Sequence, residues 1–157
     1  MGSPRSHAQK VRELSWFERG LLLEGAAVLA LMTLAVRLVP FRHLMRLAEW
    51  PLGGSPKIPR EALPKRVRWL LQVLSRRTPG AVCLHQSLTA QILLRRRGAP
   101  AVLYYGANPG DAKGLKAHAW VVCDGVDVIG GDVASEYAVL ATFPRAPADS
   151  LTRAAGT

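Results

Sequence analysis

Residues 83–98 read CLHQSLTAQILLRRRG, and residues 117–131 read AHAWVVCDGVDVIGG. The first stretch has apolar residues at helical spacing and ends in three arginines and a glycine, which favours a helix that stops there. The second contains Asp124-Gly125, a strong two-residue hairpin signal, between two apolar runs. The expected elements are a helix from about residue 83 and strands at 101–106, 116–123 and 126–129.

This order places a thiol at the start of a helix and an imidazole on a strand. A thiol becomes a strong nucleophile once a neighbouring imidazole takes its proton, and such residues commonly meet only in the folded chain. We therefore predict that Cys83 is a nucleophile and His118 its general base. A helix beginning near Cys83 would direct its N-terminal amides at a thiolate or an oxyanion. Thr78-Pro79 offers an alternative start, which would put Cys83 one turn inside.

Because successive side chains of a strand point to opposite faces, residues 116–123 can be assigned to the two faces of the predicted sheet. His118 and Trp120 share one face of the strand and Cys123 lies on the other, so Cys123 is predicted to be a small buried apolar residue. Cys83 and His85 lie on different sides of the helix, and His85 is expected on its surface. The His and Cys residues do not converge as zinc ligands do, so we expect neither a metal nor another cofactor.

The whole chain is predicted to have five parts. They are a polar tail at 1–14, a helical region at 15–49, a linker at 50–64, a catalytic core at 65–143 and a disordered tail at 144–157. Ser15 and Glu18 fit a capping box, and Pro40 is expected to end or kink the helix that follows. The apolar run from Gly25 to Val36 has twelve residues, fewer than the roughly 20 that cross a bilayer. It is predicted to be buried or docked on a partner, with peripheral membrane contact as the alternative.

The 157 residues suffice for one domain and carry a net charge of +10 and two cysteines. Two cysteines make no disulfide framework, and without a recognisable secretory signal we expect a cytoplasmic protein. The positive charge suits an acidic peptide, an anionic membrane surface or a nucleic acid. Because aromatic residues are not interleaved with the arginine clusters, we expect no nucleic-acid partner and keep a basic nucleic-acid-binding module as the alternative.

Residues 83–106, CLHQSLTAQILLRRRGAPAVLYYG, together with residues 116–131, KAHAWVVCDGVDVIGG, resemble the transglutaminase-like cysteine proteases of lasso-peptide biosynthesis. Residues 17–44, FERGLLLEGAAVLALMTLAVRLVPFRHL, are similar to the leading region of that family. The resemblance implies an α+β fold, in which an N-terminal helical region precedes a transglutaminase-like, papain-like core. In that core the cysteine lies at a helix N-terminus, packed against a small antiparallel sheet that carries the histidine.

The resemblance also implies catalytic roles. The family's nucleophile falls on Cys83 and its base on His118, whereas the slot of its third residue, an Asp, holds Gly130. Such a third group orients the imidazole and stabilises its cation. Asp132 is the nearest substitute, and a backbone carbonyl or a water is the alternative. Asp127 is expected to lie too close to the hairpin turn to reach His118.

Function and partners follow from the same resemblance. Members of that family remove the leader from a lasso-peptide precursor, often after a separate small recognition protein has bound the leader, and a cyclase acts downstream. We therefore predict a cysteine peptidase that cleaves a precursor peptide through an acyl-enzyme on Cys83. Acyl transfer to an amine at the same Cys-His site is the alternative chemistry, since peptidases and transglutaminases share the acyl-enzyme.

Overall fold

A computed structural model describes residues 15–49, 53–54, 59–76, 83–108 and 114–145. The predicted polar tail, part of the predicted linker and nearly all of the predicted C-terminal tail lie outside the described residues. The alternative helix start at Thr78-Pro79 also lies outside them.

The described residues form a helical region followed by a small sheet. The helices are α1 (Trp16–Leu38), α2 (Phe41–Ala48), α3 (Leu63–Ser75) and α4 (Cys83–Arg95), with short 3-10 helices at Arg60–Ala62 and Gly131–Glu136. The strands are β1 (Ala101–Asn108), β2 (Lys116–Cys123), β3 (Val126–Ile129) and β4 (Ala138–Phe143). They pair antiparallel in the order β3-β2-β1-β4. The predicted α+β fold is confirmed, with Cys83 at the first described position of α4 and His118 on β2.

The start of α1 is the predicted capping box. The backbone N–H of Glu18 donates to the Ser15 hydroxyl, and the backbone N–H of Ser15 donates to the Glu18 carboxylate at 2.9 Å. This hydrogen bond to the carboxylate is the main reason why the pKa of Glu18 lies below its ordinary value. Pro40 separates α1 from α2, because its ring fixes an extended junction and removes a helical donor.

One apolar core lies between the helices and one face of the sheet. α4 crosses it and contacts β1, β2 and the other three α-helices. Leucines of α3 and α4 meet Leu103, Val121 and Cys123 from the sheet there. Cys123 is fully buried on this face, which confirms the prediction made from strand alternation.

The prediction that His85 lies on the helix surface is wrong, because only 5% of this residue is exposed. An amphipathic pattern assumes a helix that is covered on one side only. α4 instead packs against the sheet and also against α1, α2 and α3, so residues away from the sheet are covered as well.

Gln91 of α4 ties three elements together at the centre of the core. It is fully buried, and its side-chain Nε2 lies 3.0, 3.1 and 2.7 Å from the carbonyl oxygens of Ala48, Ala101 and Phe143. The three carbonyls share the two hydrogens of this amide. These carbonyls lie at the end of α2, the start of β1 and the end of β4. This role of Gln91 could not be predicted from the sequence, since a polar residue in an amphipathic helix is expected on the surface.

Some elements differ from the sequence prediction. α3 begins at Leu63, so Leu63 and Pro64, assigned to the linker, are buried helical residues. β4 and the 3-10 helix at Gly131–Glu136 were not predicted, because a short strand at a sheet edge carries little periodicity. The two strands of the hairpin have the predicted bounds.

α1 is longer than the apolar run on which its prediction rested. It has 23 residues, and an 18-residue window within it has a mean hydropathy of 1.9, so the helix is long and apolar enough to cross a membrane by length and composition. One side of it nevertheless belongs to the protein core, through Leu21, Gly25, Leu29 and Met32. Core helices of soluble proteins can meet the same criterion, so the measure alone does not assign a location.

Candidate active site

α4 brings its first turn to the edge of β2. β3 pairs with β2 only at residues 121–123, so Ala119 lies beyond the end of β3. There its carbonyl accepts a hydrogen bond of 2.9 Å from the hydroxyl of Ser87 in α4. Residues four apart lie on one side of a helix, so half-buried Cys83 lies one turn before Ser87 on the side that faces this edge.

The imidazole of His118 is held by the main chain. Its Nε2 lies 2.7 Å from the carbonyl oxygen of Gly130. A carbonyl can only accept, so Nε2 carries the hydrogen, and in the neutral ring Nδ1 is left with the lone pair that can take a proton. Trp120 and Tyr137 flank the imidazole, with ring centroids 5.9 and 5.0 Å away.

Gly130 stands at the position where the family that the sequence resembles has an Asp. Its φ of +78° is left-handed, and a Cβ there would lie 2.9 Å from the carbonyl oxygen of Ala119 and 3.1 Å from Nε2 of His118. A side chain at this position would therefore collide with the imidazole it should orient. The imidazole is held here by the main-chain carbonyl of Gly130.

Asp132 is exposed on the 3-10 helix that follows. Its carboxylate makes no hydrogen bond to His118 within the described part of the chain, where the ring nitrogen Nε2 is taken by Gly130. In the structure a backbone carbonyl therefore holds the imidazole, which was the alternative to Asp132 predicted from the sequence. A catalytic role for Asp132 stays a prediction.

Asp127 lies on β3 and contacts the glycine turn. Its Oδ1 accepts the backbone N–H of Gly131 at 3.1 Å. It was expected to be too far along the strand to reach His118, and its observed contact is with the turn that holds the imidazole. Asp124 has a φ of +50°, which agrees with its assignment to the hairpin turn. The contact of Asp127 with the Gly131 N–H could not be predicted from the sequence, because it is made to the main chain.

Three consecutive arginines lie at the C-terminal end of α4, Arg95, Arg96 and Arg97. Arg95 is buried there, and desolvation lowers the pKa of its guanidinium below the ordinary value. Glu24 of α1 pairs with Arg96 at 3.0 Å and with Arg97 beside it. These contacts fix the C-terminal end of the helix. Within the described ranges, His, Cys, Asp and Glu side chains do not gather in groups of three that could hold a metal ion.

Comparison with known families agrees with this architecture. The model of the family described as the transglutaminase-like superfamily matches residues 26–142. That match covers most of the chain, from α1 to β4, and includes both Cys83 and His118. The chain therefore belongs to the transglutaminase-like superfamily, whose members are commonly cysteine peptidases or transglutaminases. A comparison with curated proteins and another with solved structures found no match.

Proposed function

We propose that the chain is a cysteine peptidase that removes the leader from a lasso-peptide precursor. The observation that carries the chemistry is the hydrogen bond of 2.7 Å between His118 Nε2 and the Gly130 carbonyl. It leaves Nδ1 with a lone pair, which we propose takes the thiol proton of Cys83. The resemblance of residues 83–106 and 116–131 to the leader peptidases supports the choice of substrate, and the net charge of +10 suits an acidic peptide.

The reaction has two halves. His118 takes the thiol proton, and the sulfur of Cys83 attacks the carbonyl carbon of the scissile peptide bond. The C–N bond breaks as the imidazolium returns its proton to the leaving amine, which leaves the leader as a thioester on Cys83. Water then attacks the thioester with His118 again as base, and the leader leaves with a free carboxylate.

Acyl transfer at the same thioester is the second candidate. It differs only in the final step, where an amine replaces water, and the superfamily contains both kinds of enzyme. The mass of the released acyl product distinguishes the two, because hydrolysis gives a free acid and transfer gives an amide.

The proposed partners are the precursor peptide, a separate protein that recognises its leader, and a cyclase that uses the released core in the cytoplasm. The test is to incubate the chain with the precursor encoded beside it, with and without the neighbouring recognition protein, and to measure fragment masses. We expect one cut between leader and core. Cys83→Ala should abolish it, while the matched variant Cys123→Ala should keep it. An uncut precursor in the presence of the recognition protein would contradict the proposal.

A further inference from the structure

The carbonyl that holds His118 belongs to a glycine, Gly130, so no side chain of that residue packs to hold it in place. Gly130 and Gly131 are joined by one peptide unit, which consists of the Gly130 carbonyl and the Gly131 N–H. Glycine has more backbone freedom than other residue types. The hydrogen bond between this peptide and the imidazole therefore needs another group to hold the peptide in place.

Asp127 supplies a restraint at the other end of the same peptide unit. Its Oδ1 accepts the Gly131 N–H at 3.1 Å, while the Gly130 carbonyl accepts from His118 Nε2 at 2.7 Å. Because the peptide is planar and trans, its N–H and its carbonyl point in opposite directions. The carboxylate, the peptide and the imidazole therefore form one chain of hydrogen bonds.

The close packing around this chain of hydrogen bonds leaves no room for a side chain on either glycine. A Cβ on Gly131 would lie 2.3 Å from Cγ of Asp127, closer than any real Cβ contact, and a Cβ on Gly130 would lie 3.1 Å from Nε2 of His118. Asp127 itself is anchored from α3, since Arg68 donates to its backbone carbonyl at 3.1 Å.

We propose that Asp127 is the positioning residue of this site and acts on His118 through the Gly130–Gly131 peptide. Its negative charge polarises that peptide, which strengthens the carbonyl as an acceptor and stabilises the imidazolium that forms when Cys83 loses its proton. This inference rests on the proposed pairing of Cys83 with His118. It assigns the part of the absent family carboxylate to one that lies a peptide bond further away.

The test is the rate at which iodoacetamide alkylates Cys83 at pH 7, which needs no substrate. His118→Ala defines the full loss of imidazole assistance. Asp127→Ala removes both acceptor and charge, and should slow alkylation about tenfold. Asp127→Asn keeps an amide oxygen for the Gly131 N–H and should be slowed less. Asp124→Asn, which removes a carboxylate from the turn of the same hairpin, should alkylate at the wild-type rate.

Cleavage of the precursor provides a second readout. Asp127→Ala should lower kcat with KM within about twofold, because the loss falls on the step that charges the imidazole. Wild-type alkylation and cleavage by Asp127→Ala, or a slow Asp124→Asn, would overturn the inference and leave the proposed function intact. An uncut precursor together with the expected order of alkylation rates would instead overturn the proposed function alone.

A second inference concerns the outer side of α1. Four leucines of this helix form a leucine stripe at helical spacing, with exposed fractions from 56% to 74%: Leu23, Leu31, Leu34 and Leu38. Exposed apolar stripes of this length mark binding surfaces. Arginines near the C-terminal end of the stripe in the sequence are exposed as well, namely Arg37, Arg42 and Arg46. The acidic residues Glu18 and Glu24 are engaged by arginines on the protein side.

We infer that the leucine stripe docks on an anionic lipid surface. A second copy of the chain would bring one basic rim against another, whereas acidic headgroups complement the arginines and admit the leucines. The chain should sediment with vesicles that contain phosphatidylglycerol and not with pure phosphatidylcholine vesicles. Leu31→Glu should abolish sedimentation, while Leu140→Glu, at a similarly exposed leucine of β4, should not. Absent sedimentation, or equal sedimentation of both variants, would overturn this inference.

Discussion

At the scale of single residues, the glycine pair after β3 has too little room for a side chain at either position. Gly131→Ala tests it without touching a catalytic group, because the new Cβ would lie 2.3 Å from Cγ of Asp127. The carboxylate must move away, so turnover should fall about as far as in Asp127→Ala, roughly tenfold. Gly20→Ala, whose Cβ would meet nothing within 4 Å in α1, should keep full activity and gain about 0.5–1 kcal/mol of stability. Steady-state kinetics and urea unfolding measure both; an active Gly131→Ala variant would mean that the contact is dispensable.

Asp132 has a test of its own. Its carboxylate is exposed, and the His118 nitrogen that a third residue would hold is bonded to the main chain. We therefore expect Asp132→Asn to turn over the precursor at close to the wild-type rate. A large fall in kcat at unchanged KM would show that Asp132 acts on the imidazole during the reaction and would assign it the third catalytic position.

At the scale of elements, α1 is expected to be a structural helix of the domain. Leu21 is 3% exposed in the core and Leu23 is 74% exposed two residues away. Leu21→Ala should lower the free energy of unfolding by about 2–5 kcal/mol, as buried leucine truncations do. Leu23→Ala should change it by less than about 0.5 kcal/mol. Urea unfolding of both variants decides this, and equal effects would mean that α1 is not docked on the core.

The capping box of α1 should make stability depend on pH. The pKa of Glu18 is lowered, first by the hydrogen bond from the Ser15 backbone. The folded chain therefore favours the charged carboxylate, so this stabilisation is present at neutral pH and is lost as the pH falls through the folded pKa. Glu18→Gln should cost about 1 kcal/mol at pH 7. The difference from wild type should vanish near pH 2, and a difference that persists there would contradict the assignment.

The elements also show what the sequence could and could not predict. The bounds of the hairpin strands were predicted correctly because the Asp124-Gly125 turn fixes where they meet, and alternation predicted the faces of β2. The register shift between Val121 and Val122 was not predicted. His85 was misplaced because the cover of α4 by α1, α2 and α3 comes from distant parts of the chain. The carbonyl of Gly130 was only an alternative, since every residue has a carbonyl and its direction depends on a turn that the sequence does not reveal.

At the scale of the whole molecule, the helical region and the sheet share one core. Buried residues of α1 and α2, among them Leu21 and Leu44, belong to the same cluster as Leu88 of α4 and Val121 of β2. The family match begins within α1 and ends in β4, so it spans both parts. The candidate site lies where β2 meets the turn after β3 and where the Ser87 hydroxyl of α4 donates to the Ala119 carbonyl.

The central claim is that Cys83 and His118 form one nucleophile–base pair. The most direct measurement is time-resolved alkylation by iodoacetamide at pH 7, with peptide mapping of both cysteines in the wild-type chain and in His118→Ala. Half-buried Cys83 should react much faster than fully buried Cys123, and His118→Ala should slow Cys83 because the imidazole that takes its proton is gone. Equal rates for Cys83 with and without His118, or faster labelling of Cys123, would contradict the account.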